Sequence, residues 1–547
     1  LPYILGVATA MDKVFRQAAD FGGRFSREVE ISAAGRERES FQVVLIPLAE
    51  ALTNATVTAS DLVAETGGAK LTAERVAINV VDYIQTQQSN SAIRRAGWWW
   101  PDVLNLPRPV SVEPAQVQPI WVTVDVPAGT PAGNYRGILQ IEAENVPSSS
   151  FLIKLRVRDY DLPVRGQLKT AFCICAGMWE IWYKPDEVKE RLGLGDNPSH
   201  GFGYSALGTE DVLGHEKWLE MYDFLLAHRI SPNVLYAPLK DGKVRTVPSM
   251  EDLEYCVERG QNAICLMNVD AWMSGRQDEI AAYLDTWKEY IETHDVDDVL
   301  FYVHGFDESE MRANHEETVD PQIRELYGFI GENYPMIKRE TANPVMDKHA
   351  GFFDIWTPLT QQYRGELAEE RRAEDEEVWV YVCCGPGKPY ANYFIDFPGV
   401  DPRVLGWQMF QTGTTGLLYY LMNHYQPQTN WNQNGLKWPE VPWNPISFNT
   451  NSDGILFYPG PDATPLASTR LANIRDGIED YEALAILRER VEAARANGDN
   501  AEVIAKAEQV LAVDPEVSES WTSYTKDPER IIEARGDVDD LIEALSR

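Results

Sequence analysis

Two adjacent carboxylates follow an apolar run near the middle of the chain, and they are the side chains best placed for chemistry. The run from Val299 to Val303 is entirely apolar or aromatic, which predicts a buried strand. Gly305 then frees the backbone, and Asp307 and Glu308 follow shortly after it. An Asp-Glu pair is common on solvated surfaces. In a (β/α) barrel, however, catalytic residues lie at the carboxyl ends of the strands, so this position makes both residues catalytic candidates.

The ends of the predicted strands, this one included, supply further polar and aromatic side chains. They are Asn268, Asp270, His304, Asn343, Trp356, Tyr381, Tyr420 and Asn423, with Trp407 and Trp431 in or near the last two loops. The sequence has no phosphate-binding glycine loop, HxH pair or nucleophile elbow. Carboxylates transfer protons, amides bind hydroxyls and aromatic rings stack on sugars, which favours glycoside cleavage. For each aromatic residue taken singly, a place in the barrel core explains its presence equally well.

An alternation of strands and helices over residues 164–464 would position these side chains. The apolar residues Ile280, Leu284 and Trp287 recur at helical spacing, for example, and the Val299–Val303 strand follows them. Eight strands with helices between them predict a (β/α)8 catalytic barrel. The predicted strands are Leu168 to Cys175, Asn233 to Tyr236, Ala263 to Asn268, Val299 to Val303, Arg339 to Asn343, Phe353 to Trp356, Val378 to Cys384 and Gly416 to Tyr420.

Different patterns flank this region. Residues 1–163 show period-two alternation with closely spaced turns, as in Phe151 to Val157, which predicts an antiparallel β-sandwich. Residues 465–547 are predicted to form a helical cap, whose last helix begins at the start signal Asp527-Pro528-Glu529. We therefore expect a multidomain chain with a β-sandwich, a barrel and a C-terminal helical extension.

Charge and composition exclude several classes of partner. The chain has 49 basic and 84 acidic residues, a formal net charge of −35, and no basic stripe, so nucleic acid is not an expected partner. No run of about 18 apolar residues predicts a membrane-inserted helix. The cysteines form no CxxC pair or Cys/His cluster at zinc spacing, so neither a metal nor another cofactor is expected. The start at Leu1 leaves the compartment open and is compatible with a trimmed, secreted or periplasmic bacterial protein; no oligomeric state is predicted.

Several longer motifs are distinctive. They are residues 38–44, 131–137, 306–308, 389–396 (which contains Asn392), 405–408, 453–460 and 473–481, and the last two are the most specific. Together they resemble glycoside hydrolase family 123 and the related DUF4091 proteins, which are β-N-acetylgalactosaminidases. Ser309 stands where the family pattern often has proline after the acid pair, which is compatible with a sister family.

The resemblance implies a retaining, substrate-assisted mechanism on a glycan with terminal β-linked GalNAc. The 2-acetamido oxygen of the sugar would attack the anomeric carbon and form an oxazolinium ion. Asp307 would orient the acetamido N–H, and Glu308 would protonate the leaving oxygen and later activate water. Tyr381 and Tyr420 are candidate contacts of the acetamido group. The other candidate substrate-binding residues are His304, Asn343 and Asn392, Asn423, and Trp356 and Trp407 as the floor of the site.

Two alternatives remain open from the sequence. One is a two-carboxylate glycosidase acting on other β-hexosides, in which Glu340 or Asp270 partners Glu308. The other is a non-catalytic glycan-binding protein on a barrel that has lost its activity. We expect Asp453, Arg475 and Asp476 to belong to structural networks that join the helical cap to the barrel.

Overall fold

The computed structural model describes residues 2–86, 97–192, 212–311, 315–425, 437–498 and 501–546. Two β-sheets make up its N-terminal part. The first is antiparallel throughout, and its six strands are, in spatial order, Arg24–Phe25, Tyr3–Thr9, Glu37–Pro47, Gln118–Val126, Val76–Gln85 and Trp99–Asn105. The second is antiparallel except for its last pair, and its main path is Val110–Val112, Leu52–Ala59, Gly133–Ala143, Val146–Asp161 and Glu28–Gly35, with Leu62–Ala64 and Lys70–Leu71 alongside.

The period-two alternation of the sequence accounts for the core between these sheets. Val122 and Val124 of the first sheet share one hydrophobic cluster with Ile153 and Leu155 of the second. Trp121, directly before Val122, faces the other way and packs with the helix Thr469–Asn497 near the C-terminus. Alternate residues of a strand point to opposite faces, so one face fills the core and the other meets the rest of the protein. The prediction of an N-terminal antiparallel sheet domain is confirmed.

The middle of the chain contains parallel strands in two sheets. The five-stranded sheet is, in order, Ala263–Val269, Leu300–Gly305, Lys338–Thr341, Ile355–Trp356 and Glu377–Val378. The three-stranded sheet is Lys169–Phe172, Gly416–Tyr419 and Val380–Tyr381. The strand order of the described residues therefore shows two parallel sheets, and it does not by itself show the closed ring of eight strands predicted from the sequence.

One predicted strand is reduced to a single bridge. Asn233 pairs only with Cys173, although a strand was expected from Asn233 to Tyr236. The Asn233 side chain accepts a hydrogen bond from the Cys265 backbone N–H at 2.9 Å, so a side chain replaces part of the backbone ladder there. The predicted strand from Val378 to Cys384 is also shorter than expected, since it is interrupted at Trp379 and ends at Tyr381.

Helices lie between and after the parallel strands. The helical segment from Asp320 to Asn333 contains a π-helical turn over Ile323–Tyr327. No helix in the described part of the chain is long and apolar enough to cross a membrane. The helices are Ala176–Tyr183, Pro185–Leu192, His215–Leu226, Leu253–Val257, Gln277–Thr293, His315–Thr318, Asp320–Gln322, Gly328–Asn333, Gly365–Ala373, Asp401–Thr412, Thr469–Asn497, Ala501–Leu511 and Pro528–Leu545. Three short hairpins pair Ile446–Ser447 with Thr450–Asn451, Phe457–Pro459 with Pro465–Ala467, and Ser518–Ser520 with Ser523–Tyr524.

Buried ion pairs hold the C-terminal helices against the N-terminal sheets. Arg470 donates to both oxygens of Asp102, at 2.9 and 2.8 Å, and all of these atoms are buried. Arg535 makes the same two-pronged contact with Glu37, at 2.6 and 3.0 Å. Separating the two partners would leave a buried charge unpaired, which is strongly destabilising. Each pair therefore favours one position of the helix relative to the sheet. Arg475, which is on the helix Thr469–Asn497 together with Arg470, donates to Ser40 at 3.0 Å and so also contacts the first sheet.

Candidate active site

The turn that carries the acid pair begins at Gly305, where no larger residue fits. A Cβ on Gly305 would lie 1.7 Å from the carbonyl oxygen of Val269 on the neighbouring strand. The next residues adopt left-handed backbone angles, with φ of 50° at Phe306 and 47° at Glu308. The Phe306 ring is buried edge-on against Tyr327, at 5.2 Å between centroids. This anchoring leaves the carboxylates of Asp307 and Glu308 partly exposed at the end of the strand.

Asn343 holds this turn in place. Its amide nitrogen donates to the carbonyl of Phe306 at 2.7 Å and to the Ser309 hydroxyl at 3.1 Å, while its oxygen accepts the Glu310 backbone N–H at 3.2 Å. The Glu308 backbone N–H donates to the carbonyl of Ala342 at 3.1 Å. Asn343 is fully buried, so we assign it to positioning of the turn rather than to the predicted contact with substrate.

Each carboxylate accepts a hydrogen bond from its own tyrosine. The Tyr236 hydroxyl donates to Asp307 Oδ2 at 3.2 Å, and the Tyr381 hydroxyl donates to Glu308 Oε1 at 2.6 Å. Tyr381 was among the predicted site residues, whereas Tyr236 was not. Tyr236 ends the predicted strand from Asn233, so the rule that selected the other strand-end residues could have found it.

The environment of Asp307 disfavours its charged form. Burial raises the pKa of this carboxyl from 3.8 to about 6, and the negative charges of Glu308 and Glu340 act in the same direction. The positive charge of His304 and the hydrogen bond from Tyr236 oppose the increase in pKa. Asp307 is therefore mostly ionised at pH 7 and becomes protonated as the pH falls below about 6.

His304 and Glu340 form a buried pair beneath the turn. His304 Nδ1 lies 2.5 Å from Glu340 Oε2, and the Thr357 hydroxyl donates to Glu340 Oε1 at 2.6 Å. Burial alone would lower the pKa of His304, but the charge of Glu340 and its hydrogen bond raise it overall. Both side chains are completely buried, so neither His304 as a substrate contact nor Glu340 as a second catalytic acid has an open face.

The other alternative acid, Asp270, is partly exposed, and its carboxylate accepts a hydrogen bond from the residue that follows it. Its side chain accepts the backbone N–H of Ala271 at 2.7 Å and caps the short turn Ala271–Met273. Asn268, two residues earlier, donates from its amide to the carbonyl of His304 at 3.4 Å. Both contacts brace the ends of neighbouring strands.

A further buried carboxyl, Asp453, is held by two tyrosines of the neighbouring parallel sheet and its following loop. It accepts hydrogen bonds from the hydroxyls of Tyr419 at 3.1 Å and Tyr420 at 2.9 Å. Burial raises its pKa to about 8, and the nearby thiol of Cys384 adds to the increase. The charge of Glu308 also acts on Cys384, so this exposed thiol is near both Glu308 and Asp453. The sequence had assigned Asp453 to a structural network, and its position near Cys384 was not foreseen.

The predicted tryptophan floor is enclosed in the protein. The indole N–H of Trp356 donates to Glu376 at 2.6 Å, and that of Trp407 donates to Asp480 at 2.8 Å. Both indoles are almost completely buried, so neither offers a face to a sugar ring, and we assign them to the fold. Trp431 lies outside the described residues.

Two predicted asparagines also bond only within the fold. Asn392 donates to the carbonyls of Cys383 and Pro386, both at 3.0 Å. Asn423 accepts the backbone N–H of Cys175 at 2.8 Å and donates to its carbonyl at 2.9 Å. Both amides are fully buried, and they connect the loops that follow the parallel strands. Of the predicted substrate-binding residues, Tyr381 alone hydrogen-bonds to the acid pair among the described contacts.

Two models of one protein family match the chain. Residues 256–487, which contain the acid pair, match the family model described as the catalytic domain of glycoside hydrolase 123. Residues 15–143 match the model of the glycoside hydrolase 123 N-terminal domain. The chain belongs to glycoside hydrolase family 123. It is therefore a glycoside hydrolase by family, and its substrate is a glycan.

The fold agrees with this family. A solved family 123 glycoside hydrolase from Clostridium perfringens, studied for glycolipid glycan hydrolysis, superposes with a TM-score of 0.64 and 12% identity, covering 100% of this chain and 97% of that chain. At that identity the likeness shows a shared fold. A Bacteroides ovatus GH5 xyloglucanase, with 12% identity over 83% of this chain and 98% of its own, has a TM-score of only 0.26 and carries no argument. No curated protein sequence matches this family 123 chain.

Proposed function

We propose that this family 123 enzyme is a retaining β-N-acetylgalactosaminidase that removes terminal β-linked GalNAc by substrate assistance. The observation that carries the proposal is the pair of partly exposed carboxylates, Asp307 and Glu308, each hydrogen-bonded by a different tyrosine. Because separate partners hold them, the two acids can serve two atoms of one sugar.

In this mechanism Glu308 handles the protons. It donates a proton to the glycosidic oxygen while the 2-acetamido oxygen attacks the anomeric carbon and the glycosidic bond breaks. The product is an oxazolinium ion, and Glu308 then takes a proton from the water that opens it, which regenerates the acid. Tyr381 donates to Glu308 Oε1, which leaves Oε2 to face the substrate.

Asp307 serves the acetamido group. Its ionised carboxylate accepts the N–H of that group, which increases the electron density on the attacking oxygen and orients it towards the anomeric carbon. Since the pKa of Asp307 is raised to about 6, the carboxylate is available as an acceptor at neutral pH and is lost in acid. Its partial removal from bulk water also strengthens its interaction with the charged oxazolinium ion.

Substrate assistance is further supported by the state of the alternative acids. A two-carboxylate mechanism needs a second acid with access to the sugar. Glu340 is enclosed and shared between His304 and Thr357, and Asp270 caps its own turn. With assistance from the substrate, no enzymatic nucleophile is required.

We also propose that the two parallel sheets belong to one eight-stranded barrel with its mouth at the acid pair. Two bridges support this, between Cys173 and Asn233 and between Leu359 and Tyr381. The backbone hydrogen bond from Asn268 to Ala237, at 2.9 Å, adds a contact between the segment around Asn233 and the five-stranded sheet. The domain limits 1–163, 164–464 and 465–547 are part of the same proposal.

Aryl β-glycosides test the proposed function. We expect turnover of aryl β-GalNAc, with weaker activity on β-GlcNAc, negligible activity on β-Gal and inhibition by a thiazoline analogue of the oxazolinium ion. Equal rates on β-Gal and β-GalNAc would instead support the two-carboxylate mechanism, and binding without turnover would support a glycan-binding protein.

Replacement of the proposed acid gives a sharper test. Glu308→Gln should lose about 10²–10⁴-fold in rate on substrates with poor leaving groups and much less on activated aryl glycosides, since the latter need little protonation. Glu332→Gln, at an exposed glutamate on a helix, is the matched control and should leave both rates unchanged. Full activity of Glu308→Gln on a poor leaving group would remove the assignment.

A further inference from the structure

A third group of ionisable side chains lies beside the catalytic turn. Glu310 is two residues after Glu308, Asp320 begins the helix Asp320–Gln322, and His349 ends the turn Asp347–His349. His349 Nε2 lies 3.2 Å from Asp320 Oδ1 and 3.6 Å from Glu310 Oε1. One ligand-type atom from each of the three residues lies within 4.8 Å of the other two.

The imidazole of His349 is the unusual member of this group. Its side chain is 1% exposed, yet neither ring nitrogen has a hydrogen-bond partner among the described residues. Asp320 Oδ1 and Glu310 Oε1 approach Nε2, but neither contact is a hydrogen bond. A buried polar atom without a partner is costly, and a shared cation would satisfy it.

The spacing suits a small divalent ion. Zinc binds nitrogen and carboxylate oxygen at about 2.0–2.1 Å in tetrahedral sites, which places neighbouring ligand atoms about 3.3 Å apart. The separations of 3.2 and 3.6 Å around His349 Nε2 bracket that value. We propose that Glu310, Asp320 and His349 form a divalent-cation site, with zinc as the ion that fits best and water as its fourth ligand.

Lys348 acts as a competitor for the same position. Its ammonium lies 3.1 Å from Glu310 Oε1 and 3.5 Å from Asp320 Oδ2. The side chain is 32% exposed, so it can turn towards solvent when an ion binds. An ion and this ammonium neutralise the same two carboxylates, and removing the ammonium should strengthen ion binding.

An ion at this position would brace the turn that carries the acid pair. The backbone of Glu310 is already held by Asn343, and coordination through its carboxylate would add a link to the helix at Asp320 and the turn at His349. The proposal concerns this cation site alone, so it stands or fails independently of the proposed glycosidase mechanism.

Zinc titration into the full-length, chelator-dialysed protein tests the site. We expect calorimetry to show one high-affinity equivalent and thermal unfolding to show a higher Tm with zinc. Asp320→Asn and His349→Gln should each weaken binding at least tenfold, whereas Lys348→Gln should tighten it. Asp347→Asn, at an exposed aspartate of the same turn, is the matched control and should bind like the parent chain.

The Asp320→Asn variant decides the result if His349→Gln does not fold. Zinc held by the exposed thiol of Cys384 would persist in Asp320→Asn and is thereby distinguished from the proposed site. Absence of zinc binding in the parent protein, or equal affinity in the parent and in Asp320→Asn, would overturn the proposal.

Discussion

Replacing Asp307 with asparagine should make the protein more stable at neutral pH while it removes activity. Burial raises the pKa of Asp307 from 3.8 to about 6, which corresponds to about 3 kcal/mol for a fully buried group. The side chain is partly exposed, and solvent screening reduces the usable figure to about 1–2 kcal/mol. Asparagine keeps an acceptor for the Tyr236 hydroxyl and removes the buried charge.

The sign of the pH dependence follows from proton linkage. Between pH 3.8 and about 6 the folded state holds a proton on Asp307 that the unfolded state has lost. The free energy of unfolding contributed by this group therefore falls as the pH rises through that window. Above about pH 6 the full cost of the buried charge is present, and below pH 3.8 it is absent. The advantage of Asp307→Asn should consequently appear between these two pH values.

Thermal unfolding and kinetics measured together provide the assay. At pH 7.5 we expect Asp307→Asn to raise Tm by roughly 1–2 °C, with a difference that shrinks towards zero near pH 4. In the same preparation, kcat/KM on aryl β-GalNAc should fall by about 10²-fold or more, because the neutral side chain of asparagine cannot stabilise the developing positive charge as the carboxylate does. Asp347→Asn, at an exposed aspartate, controls for loss of a surface charge. A variant that is less stable at pH 7.5, or whose Tm difference does not change with pH, would refute the reasoning.

Three further predictions concern the supports of the site. Tyr236→Phe removes a hydrogen bond that lowers the pKa of Asp307, so the acidic limb of the kcat/KM profile should move above pH 6; an unchanged limb would contradict the role of Asp307. Gly305→Ala should cost at least about 3 kcal/mol in thermal unfolding, because its Cβ would lie 1.7 Å from a neighbouring carbonyl oxygen, and a variant with parental Tm would show that the strands can separate there. Arg470→Met strands the buried charge of Asp102 and should cost about 3–5 kcal/mol, and the double variant with Asp102→Leu should recover much of it; no recovery would mean that packing dominates.

Parts of this architecture could be predicted from the sequence because local patterns carry them. The apolar run before Gly305 predicted the strand that ends at the acid pair, and the observed strand is Leu300–Gly305. The signal at Asp527 predicted a helix start, and its side chain accepts the backbone N–H of Glu529 at the head of Pro528–Leu545. Such features depend on neighbouring residues, whose apolar spacing and backbone preferences are visible in the sequence.

The choice among strand-end residues could not be made in this way. Trp356 satisfied the same positional rule as Tyr381, yet its indole is buried and donates to Glu376. Periodicity indicates that a residue is at the end of a strand, but it does not indicate which way its side chain turns or what fills the space beside it. For aromatic residues, whose rings serve equally in a core and in a sugar site, that information is essential.

What the sequence by itself determined is the identity of the acid pair, the strand and glycine that present it, and the family motifs. The tertiary structure alone decided which groups surround the pair. Tyr236 and Tyr381 reach it from 71 and 73 residues away, in opposite directions along the chain. The raised pKa of Asp307 and the meeting of Glu310, Asp320 and His349 likewise arise from packing. Electrostatic and hydrogen-bond partners act through space, and distance along the chain does not predict distance in the folded protein.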